Sequence, residues 1–469
     1  MKIFNTLQKS KVEFEPINPP NVTFYTCGPT VYDYFHIGNG RTFIMTDVIR
    51  RYLLYKNYKV KFVMNLTDID DKIIKKANEE KISAAEVAKK YSDEFFKDIK
   101  ALKIKPADFY PKATEHMTEI LEMISELEKK NNAYNIDGNV FFEVKTFNEY
   151  GKLSGKNLDE LEVGARVELN EDKKNPLDFA LWKKAKEGEP YWESPWGKGR
   201  PGWHIECSAM STKHLGKTID IHAGGNDLIF PHHENEIAQS ECAHDTQFVK
   251  YWLHFGFLNI KEEKMSKSLG NFYTARDILS KYSAEAIRML FCQTHYRGPL
   301  NFSFDLLEAS EKGVAKIQNL YDAILEMKSN SIENVNQSFN FDKYYSMFTE
   351  AMDDDFNTPQ AIAVIFDFVR DFNKLISESK IISSKLLSGA EKFLNDTAVE
   401  VLGIIKLNDD SNKGDSDLTE KLISLLLDVR LKLKLEKNFA LADAIRNKLS
   451  EFGVAVKDTK EGSTFKITN

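Results

Sequence analysis

The chain has 469 residues, a formal net charge of −7 and a hydrophobic fraction of 42%. No apolar run approaches the roughly 20 residues that span a bilayer, and the charged N-terminus lacks the apolar core of a secretory signal, so we expect a cytoplasmic protein without a membrane anchor. Four widely spaced cysteines without a CxxC pair exclude a disulfide scaffold. The acidic balance argues against a surface built throughout for polyanions, although a local nucleic-acid contact stays open.

The first 115 residues alternate between strand and helix patterns. Alternating side chains predict strands over 22–26 and 60–64, and apolar residues at three- and four-residue steps predict a helix over 43–53 between them. A further helix is predicted over 69–80, after the capping residues that precede it. A strand, a helix and a second strand in this order form a βαβ unit, which is typical of parallel sheets.

Beyond residue 115 the pattern changes several times, and the length predicts about three domains. A loop rich in Lys, Glu, Gly and Pro runs up to residue 200 and indicates an insertion, and a strand pattern returns at 219–222. Residues 306–405 are helical in pattern, and Asn357-Thr358-Pro359 is a good helix start. The polar segment 408–417 predicts a linker, and the tail beyond it predicts two helices and a hairpin made of 453–456 and 463–467.

The segment Cys27–Asn39 lies where a predicted strand ends and a helix begins. Open α/β sheets bind ligands at the carboxyl ends of their strands, and the free N–H groups of a helix N-terminus attract phosphate. His36 and Asn39 can donate to phosphate oxygens, and Gly38 lets a nucleotide approach the backbone closely. The same residues could instead only cap the helix. Neither the GxGxxG fingerprint nor a P-loop is present here.

A second segment of interest is Lys264-Met265-Ser266-Lys267-Ser268, which precedes Gly270. Two lysines at i and i+3 can place two ammonium charges on a transferring pyrophosphate, in a loop that moves as it does so. Such a cluster could also be a solvated surface loop. Its position after a His-x-Gly element in an α/β chain favours the phosphate interpretation.

A third group consists of metal-ligand residue types. His232 and Glu236 are four residues apart, so they share one face of a helix. With the thiolates of Cys27 and Cys207 they would complete a four-ligand zinc set, although each cysteine could also be a buried small residue. The HExxH motif of metalloproteases is absent because Ile237 stands where it needs histidine. Cys242 and Cys292 lie in helical apolar surroundings, and we expect both in the core.

Taken together, these segments resemble the cysteinyl-tRNA synthetase family of class I aminoacyl-tRNA synthetases. The first signature reads His36-Ile37-Gly38-Asn39 and the second, KMSKS, matches in full at Lys264–Ser268. The resemblance covers nearly the whole chain and runs through Cys27–Arg41, Asn65–Asp71, Asp178–Lys183, Ser194–Met210, Asp220–Gln239, Lys264–Asn271, Met352–Pro359 and Phe439–Gly462.

The resemblance implies an α/β fold with a Rossmann-like parallel-sheet catalytic domain, a helical bundle and a small α+β tail domain. It places the catalytic domain in 1–115 and 201–305, a connective insertion in 116–200, a helical tRNA-binding domain in 306–407 and an anticodon-side domain in 418–469. It also implies a monomer that couples L-cysteine to ATP with Mg²⁺ and transfers it to the 3′-terminal adenosine of tRNA(Cys).

The resemblance also assigns roles to individual residues. It implies one Zn²⁺ per subunit, held by Cys27, Cys207, His232 and Glu236. We expect the catalytic residues to be His36, Asn39, Lys264 and Lys267. The residues expected to bind ATP are Gly38, Ser266 and Ser268, together with His36, Asn39 and Lys267. The residues expected to bind the amino acid are Trp203, Asp227 and Thr67.

Two other functions compete with this interpretation. A related ligase that joins cysteine to an amino sugar would share the zinc ligands and both signatures, but it would not need the long helical region and the tail, which carries ten Lys/Arg and seven Asp/Glu over 418–469. A nucleotide-binding regulatory module without catalysis would not need all four of His36, Asn39, Lys264 and Lys267. Charging of tRNA with cysteine separates the three.

Overall fold

A computed structural model of the protein describes residues 1–157, 173–260, 263–264, 273–329, 337–379, 381–459 and 462–467. The chain divides into two compact units, Met1–Ile405 and Lys406–Asn469. Within the described ranges, no helix has both the length and the apolar character needed to cross a membrane.

The strands are short, and in the described residues they belong to five separate sheets. In chain order they are β1 (Lys2–Asn5), β2 (Ser10–Glu13), β3 (Asn21–Thr26), β4 (Lys59–Met64), β5 (Ala133–Ile136), β6 (Asn139–Phe142), β7 (Phe179–Lys184), β8 (Gly199–Pro201), β9 (Ile219–Gly225), β10 (Val249–Phe255), β11 (Leu258–Ile260), β12 (Glu263–Lys264), β13 (Leu300–Phe302), β14 (Val454–Thr459) and β15 (Gly462–Ile467).

The α-helices are concentrated in the second half of the chain. They are α1 (Ile37–Tyr55), α2 (Asp71–Glu80), α3 (Ala84–Ala101), α4 (Met117–Lys129), α5 (Trp203–Leu215), α6 (Glu234–His244), α7 (Ala275–Leu279), α8 (Ala284–Cys292), α9 (Phe304–Ser329), α10 (Phe341–Asp353), α11 (Thr358–Glu378), α12 (Ser384–Leu394), α13 (Asn408–Leu435) and α14 (Phe439–Glu451).

A parallel four-stranded sheet with the order β10-β9-β3-β4 forms the centre of the first unit. The predicted βαβ unit is confirmed as β3, α1 and β4, with Phe24 opposite Phe62. Phe24, Phe62 and the inner face of α1 belong to one large buried core. The connection from β3 leads to β4 on one side of the sheet, and the connection from β9 leads to β10 on the other side. Because these two connections diverge, a crevice opens between the carboxyl ends of β3 and β9.

The region predicted as an insertion carries its own antiparallel sheet, with the order β5-β6-β7-β8. Helix α4 packs against this sheet, and Ile124, Val140 and Trp182 are buried there in a core distinct from that of the parallel sheet. The chain then returns to the parallel sheet through α5 and β9.

The helical character predicted for 306–405 is confirmed by α9 to α12. The predicted helix start is also confirmed, because α11 begins at Thr358 with Pro359 in its first turn. The Asn357 side chain accepts a hydrogen bond from the Gln360 N–H. A run of π-helix, Asn395–Val401, then leads to the end of this unit.

The second unit contains α13, α14 and the antiparallel hairpin of β14 and β15. The predicted helices and hairpin are confirmed, with Val454 opposite Ile467. The predicted linker over 408–417 is wrong, because α13 is helical from Asn408. The apolar pattern farther along the chain carries the helix to Leu435.

Candidate active site

A cleft of about 340 Å³ opens at the carboxyl ends of β3, β9 and β10. Its walls come from the segments that follow these strands and from the first turn of α1. The lining includes Cys27–Thr30, Tyr32–His36, Gly38, Asn39, Lys72, Trp203, Gly225, Asp227, Leu228 and Phe255–Leu258.

The first signature forms the start of α1 in the cleft wall. His36 caps the helix, and its Nδ1 accepts the Asn39 N–H at 3.1 Å. A Cβ on Gly38 would lie 2.9 Å from His36 Nδ1, so any other residue would displace the imidazole, and 3.8 Å from the Leu258 Cβ, an ordinary contact. His36, Gly38 and Asn39 all line the cleft. Capping and cleft lining therefore occur together, and the two interpretations of the sequence do not exclude each other.

The second signature begins at the end of β12, where the Lys264 backbone pairs with Asn259 of β11. Strand β11 follows directly on Phe255–Leu258 of the cleft wall. Ser266, Lys267 and Ser268 lie outside the described residues.

Four predicted metal ligands meet at the base of the cleft. One donor atom each from Cys27, Cys207, His232 and Glu236 lies within 4.8 Å of the others, and all four residues are buried. Cys27 follows β3, Cys207 lies in α5, and His232 and Glu236 lie in and just after the π-type turn Ile229–His233. His232 Nε2 is 2.9 Å from Glu236 Oε1, and Cys27 Sγ is 3.7 Å from the same oxygen.

Electrostatic interactions favour the charged forms of Glu236 and Cys207 but not the thiolate of Cys27. Burial opposes ionisation of Glu236, but His222 and His232 outweigh it and lower the pKa of that carboxyl to about 2. A hydrogen bond with Cys27 lowers the pKa of Cys207 to about 6, whereas burial and the neighbouring Cys207 raise the pKa of Cys27. Two sulfurs, one imidazole and one carboxylate are a donor set that Zn²⁺ takes. The residues present therefore fit the metal that the sequence predicts.

A second overlapping group shares Cys27 and Glu236 and adds His222 and His233. His222 Nε2 is 2.8 Å from Glu236 Oε2, and His233 Nε2 is 3.4 Å from Cys27 Sγ. His233 is also hydrogen-bonded to His254 at 2.8 Å. The sequence analysis missed these three histidines as site residues. The sequence feature that could have indicated His222 and His254 is a polar side chain within an apolar strand. For His233 it is the position directly after the predicted ligand His232.

Three weaker predictions concern the amino-acid pocket. Trp203 is 41% exposed and stacks on His232 with ring centroids 4.4 Å apart. Trp203 and Asp227 both line the cleft. Thr67 is buried, and its backbone exchanges hydrogen bonds with Pro29 and Val31. It therefore holds the cleft-lining loop through backbone hydrogen bonds and is not part of the lining itself.

The remaining cysteines are not part of either donor group. Cys292 is fully buried, as predicted, and burial raises the pKa of its thiol to about 12. Cys242 is only half-buried against the core of the insertion, because it lies near the exposed end of α6, and burial raises its pKa to about 11. Burial therefore disfavours the reactive thiolate form at both positions.

Comparison with known proteins identifies the class of this fold and site. The profile of the family described as tRNA synthetases class I (C) catalytic domain matches residues 13–312, and the DALR domain profile matches residues 347–406. The first match covers more than half of the chain. The chain therefore belongs to the class I aminoacyl-tRNA synthetases, enzymes that activate an amino acid with ATP and transfer it to tRNA.

Solved synthetase structures share the fold. Mycobacterium tuberculosis methionyl-tRNA synthetase with methionyl-adenylate is 16% identical, with a TM-score of 0.59 over 81% of this chain and 89% of that one. The ternary complex of Agrobacterium radiobacter K84 LeuRS with tRNA and LeuAMS is 11% identical, with a TM-score of 0.61 over 83% and 85%. A putative arginyl-tRNA synthetase from Campylobacter jejuni is 13% identical, with a TM-score of 0.56 over 84% and 95%. The predicted fold, a Rossmann-like parallel-sheet domain followed by a helical domain, is confirmed.

Proposed function

We propose that this synthetase is specific for cysteine: it forms cysteinyl-adenylate from L-cysteine and ATP and transfers cysteine to tRNA(Cys). The observation that carries the proposal is the meeting of Cys27, Cys207, His232 and Glu236 at the base of the cleft. Cys27 belongs both to this group and to the cleft lining, so the donor set faces the space where a substrate side chain would lie.

The selectivity problem for such an enzyme is serine, which differs from cysteine by one atom. An apolar pocket separates side chains of nearly equal size by only about 1–3 kcal/mol. Zinc held by the four residues would supply a preference for a thiolate over an alcohol oxygen, because sulfur is the softer ligand and a thiol loses its proton near neutral pH. The buried donors fit this task because their side chains are already packed in place.

The other cleft residues suit the remaining parts of the substrates. Asp227 offers a carboxylate to the substrate ammonium, and Trp203 closes one wall next to His232. His36 and Asn39 stand at the N-terminus of α1, where backbone N–H groups attract phosphate oxygens. Attack on the α-phosphate of ATP, which binds with Mg²⁺, needs positioning and charge stabilisation more than proton transfer. Lys264 and Lys267 would supply that charge.

A tRNA substrate is supported by the region beyond the catalytic domain. The DALR domain match covers 347–406, and residues 418–469 carry ten Lys/Arg against seven Asp/Glu. Such a local excess of positive charge suits phosphate contacts. A ligase acting on an amino sugar would need neither region.

The test is ATP–pyrophosphate exchange with cysteine and with serine, followed by charging of tRNA(Cys). We expect exchange with cysteine alone, about one zinc ion per chain as for a single four-ligand set, and transfer to tRNA. Adding cysteine to the cobalt-substituted enzyme should change the thiolate-to-metal absorption, whereas serine should not. Exchange without tRNA charging would favour the amino-sugar ligase, and equal exchange with serine would contradict the proposal.

A matched pair of variants locates the effect. Cys207→Ala should lose the metal and the discrimination against serine. Cys292→Ala removes an equally buried helical cysteine outside the donor group and should retain both. Metal loss from both variants would indicate that general destabilisation is the cause.

A further inference from the structure

Arg41 is a buried cation in the helix that begins with the first signature. It is 1% exposed, and burial lowers its pKa to about 10. Within the part of the chain that the structure describes, no carboxylate lies within ion-pair distance of its guanidinium. A buried charge without a counter-ion is costly, so its position needs an explanation.

Four backbone carbonyl groups surround the Arg41 guanidinium. Nη1 donates to Gly256 O at 2.9 Å and to Phe257 O at 3.0 Å. Nη2 donates to His295 O at 3.2 Å and to Gly298 O at 2.7 Å. The planar fork of arginine can bridge two loops in this way, whereas the single ammonium of lysine cannot reach both pairs.

The bridged loops approach each other very closely. A Cβ on Gly256 would lie 2.3 Å from Gly298 O, and the Gly256 N–H donates to Tyr296 O at 2.8 Å. Phe257 O and His295 O also accept backbone N–H groups, from Leu300 and Gly298, each at 2.9 Å. Carbonyl oxygens that converge in a buried space still repel one another. The Arg41 cation between them offsets this repulsion and, with the backbone hydrogen bonds, holds the 256–257 segment against the 295–298 loop.

The segment held in this way is part of the cleft. Phe255–Leu258 line it, and Leu258 Cβ stands 3.8 Å from the position of a Cβ on Gly38 of the first signature. We propose that Arg41 is a positioning residue for the nucleoside of ATP. By fixing Gly256–Leu258 beside His36–Asn39, it sets the distance between the two cleft walls that enclose adenosine. This inference rests on the proposed placement of ATP in the cleft.

The test compares Arg41→Lys with Arg51→Lys in the exchange reaction. Arg51 lies on the same helix, is 8% exposed and donates to the carbonyls of Lys103, Val399 and Glu400, none of which lines the cleft. Arg41→Lys should lower kcat/KM for ATP roughly 10²-fold, the loss that a displacement of about 1 Å can cause. The KM for the amino acid should change little. Arg51→Lys should leave both KM values near wild type.

Inhibition constants separate positioning from general damage. For Arg41→Lys, the inhibition constant of adenosine should rise by the same factor as the KM for ATP, while the KM for pyrophosphate in the reverse reaction should stay near wild type. Equal losses for adenosine, pyrophosphate and amino acid would overturn the inference, as would wild-type kinetics.

Two further measurements keep the test decisive. If Arg41→Lys does not fold, hydrogen exchange of the wild-type enzyme replaces it: adenosine should slow exchange in 255–260 and 295–300 together, and protection of neither segment would overturn the inference. His36→Asn tests the placement of ATP itself. If His36→Asn leaves the KM for ATP unchanged, the proposed site fails; if it raises that KM and Arg41→Lys does not, only the role of Arg41 fails.

Discussion

The buried ion cluster of Asp47, Arg51 and Arg288 allows a quantitative prediction about stability. Arg288 is fully buried, its guanidinium lies 2.8 Å from Asp47 Oδ2, and its Nε donates to Leu402 O at 3.0 Å. Arg51 Nε also donates to Asp47 Oδ2, at 2.7 Å. The cluster therefore joins α1 and α8 of the catalytic region to the segment that follows the last π-helical turn of the first unit.

We expect Arg288→Met to lower the free energy of unfolding by about 3 kcal/mol. Removing one partner of a buried ion pair costs about 3–5 kcal/mol because the other charge stays buried. The lower end applies here because Arg51 still neutralises Asp47. Methionine fills much of the vacated volume, so a cavity contributes little to the loss of stability. The loss then reflects mainly the missing ion pair with Asp47 and the missing hydrogen bond to Leu402 O.

Urea unfolding followed by tryptophan fluorescence measures this loss. All five tryptophans lie between residues 182 and 252, within the first unit, so the signal reports that unit. A lower midpoint at unchanged slope is the expected result. Asp47→Asn should cost less in the Arg288→Met background than in the wild type, because the two residues share one interaction.

The control is an arginine whose ion pairs are exposed. Arg370 pairs with Asp367 and Asp371, and its side chain is 68% exposed. Arg370→Met should leave the midpoint unchanged, because water and salt screen such pairs. If Arg288→Met costs no more than Arg370→Met, the cluster does not stabilise the contact between α1 and the helical region.

Three further outcomes are expected. Lys267→Ala should slow adenylate formation roughly 10²- to 10³-fold while ATP binding weakens far less, because the charge acts in the transition state; pre-steady-state pyrophosphate release measures it, and equal losses in binding and rate would refute it. Deletion of residues 406–469, a separate compact unit, should spare pyrophosphate exchange and reduce tRNA charging, and equal damage to both would mean that this unit supports the catalytic fold. Lys183 and Arg200 outweigh burial and lower the pKa of Asp71 below its ordinary value of 3.8. The stability that ionised Asp71 adds is therefore complete above about pH 3.8 and is lost as the pH falls through the lowered pKa. The unfolding midpoints of wild type and Asp71→Asn should converge below that lowered pKa.

Much of the fold could be predicted because local pattern and tertiary burial agree. Val22, Phe24 and Phe62 alternate with other residues and are buried in the core, and Asn357 caps the helix that its position suggested. The segment after Asn408 could not be predicted in this way. Its composition favours a turn, whereas the helix that follows it extends backwards through it, an effect that no short window of sequence contains.

The metal-ligand types could be recognised from the sequence, but their surroundings could not. Cys27 and Cys207 are far apart along the chain, and only the packing of α5 behind β3 brings their sulfurs together. His222 occupies a fully buried position in β9 and is hydrogen-bonded to Glu236. A single histidine in an apolar strand does not reveal such a partner, because the partner comes from a different element.

In the proposed function, the choice of amino acid and the use of ATP depend on different parts of the catalytic region. The metal-ligand group is buried among β3, α5 and α6, so its donors are fixed by close packing before a substrate arrives. The proposed nucleotide wall, in contrast, consists of loop backbone that the Arg41 side chain holds together with backbone hydrogen bonds to the 295–300 segment. Substitutions in the metal-ligand group should therefore change which amino acid supports exchange, and substitutions at Arg41 should change the concentration of ATP that exchange requires. A variant that altered both together would show that the two sites are mechanically coupled through Cys27 and Gly28, which lie between them in the cleft wall.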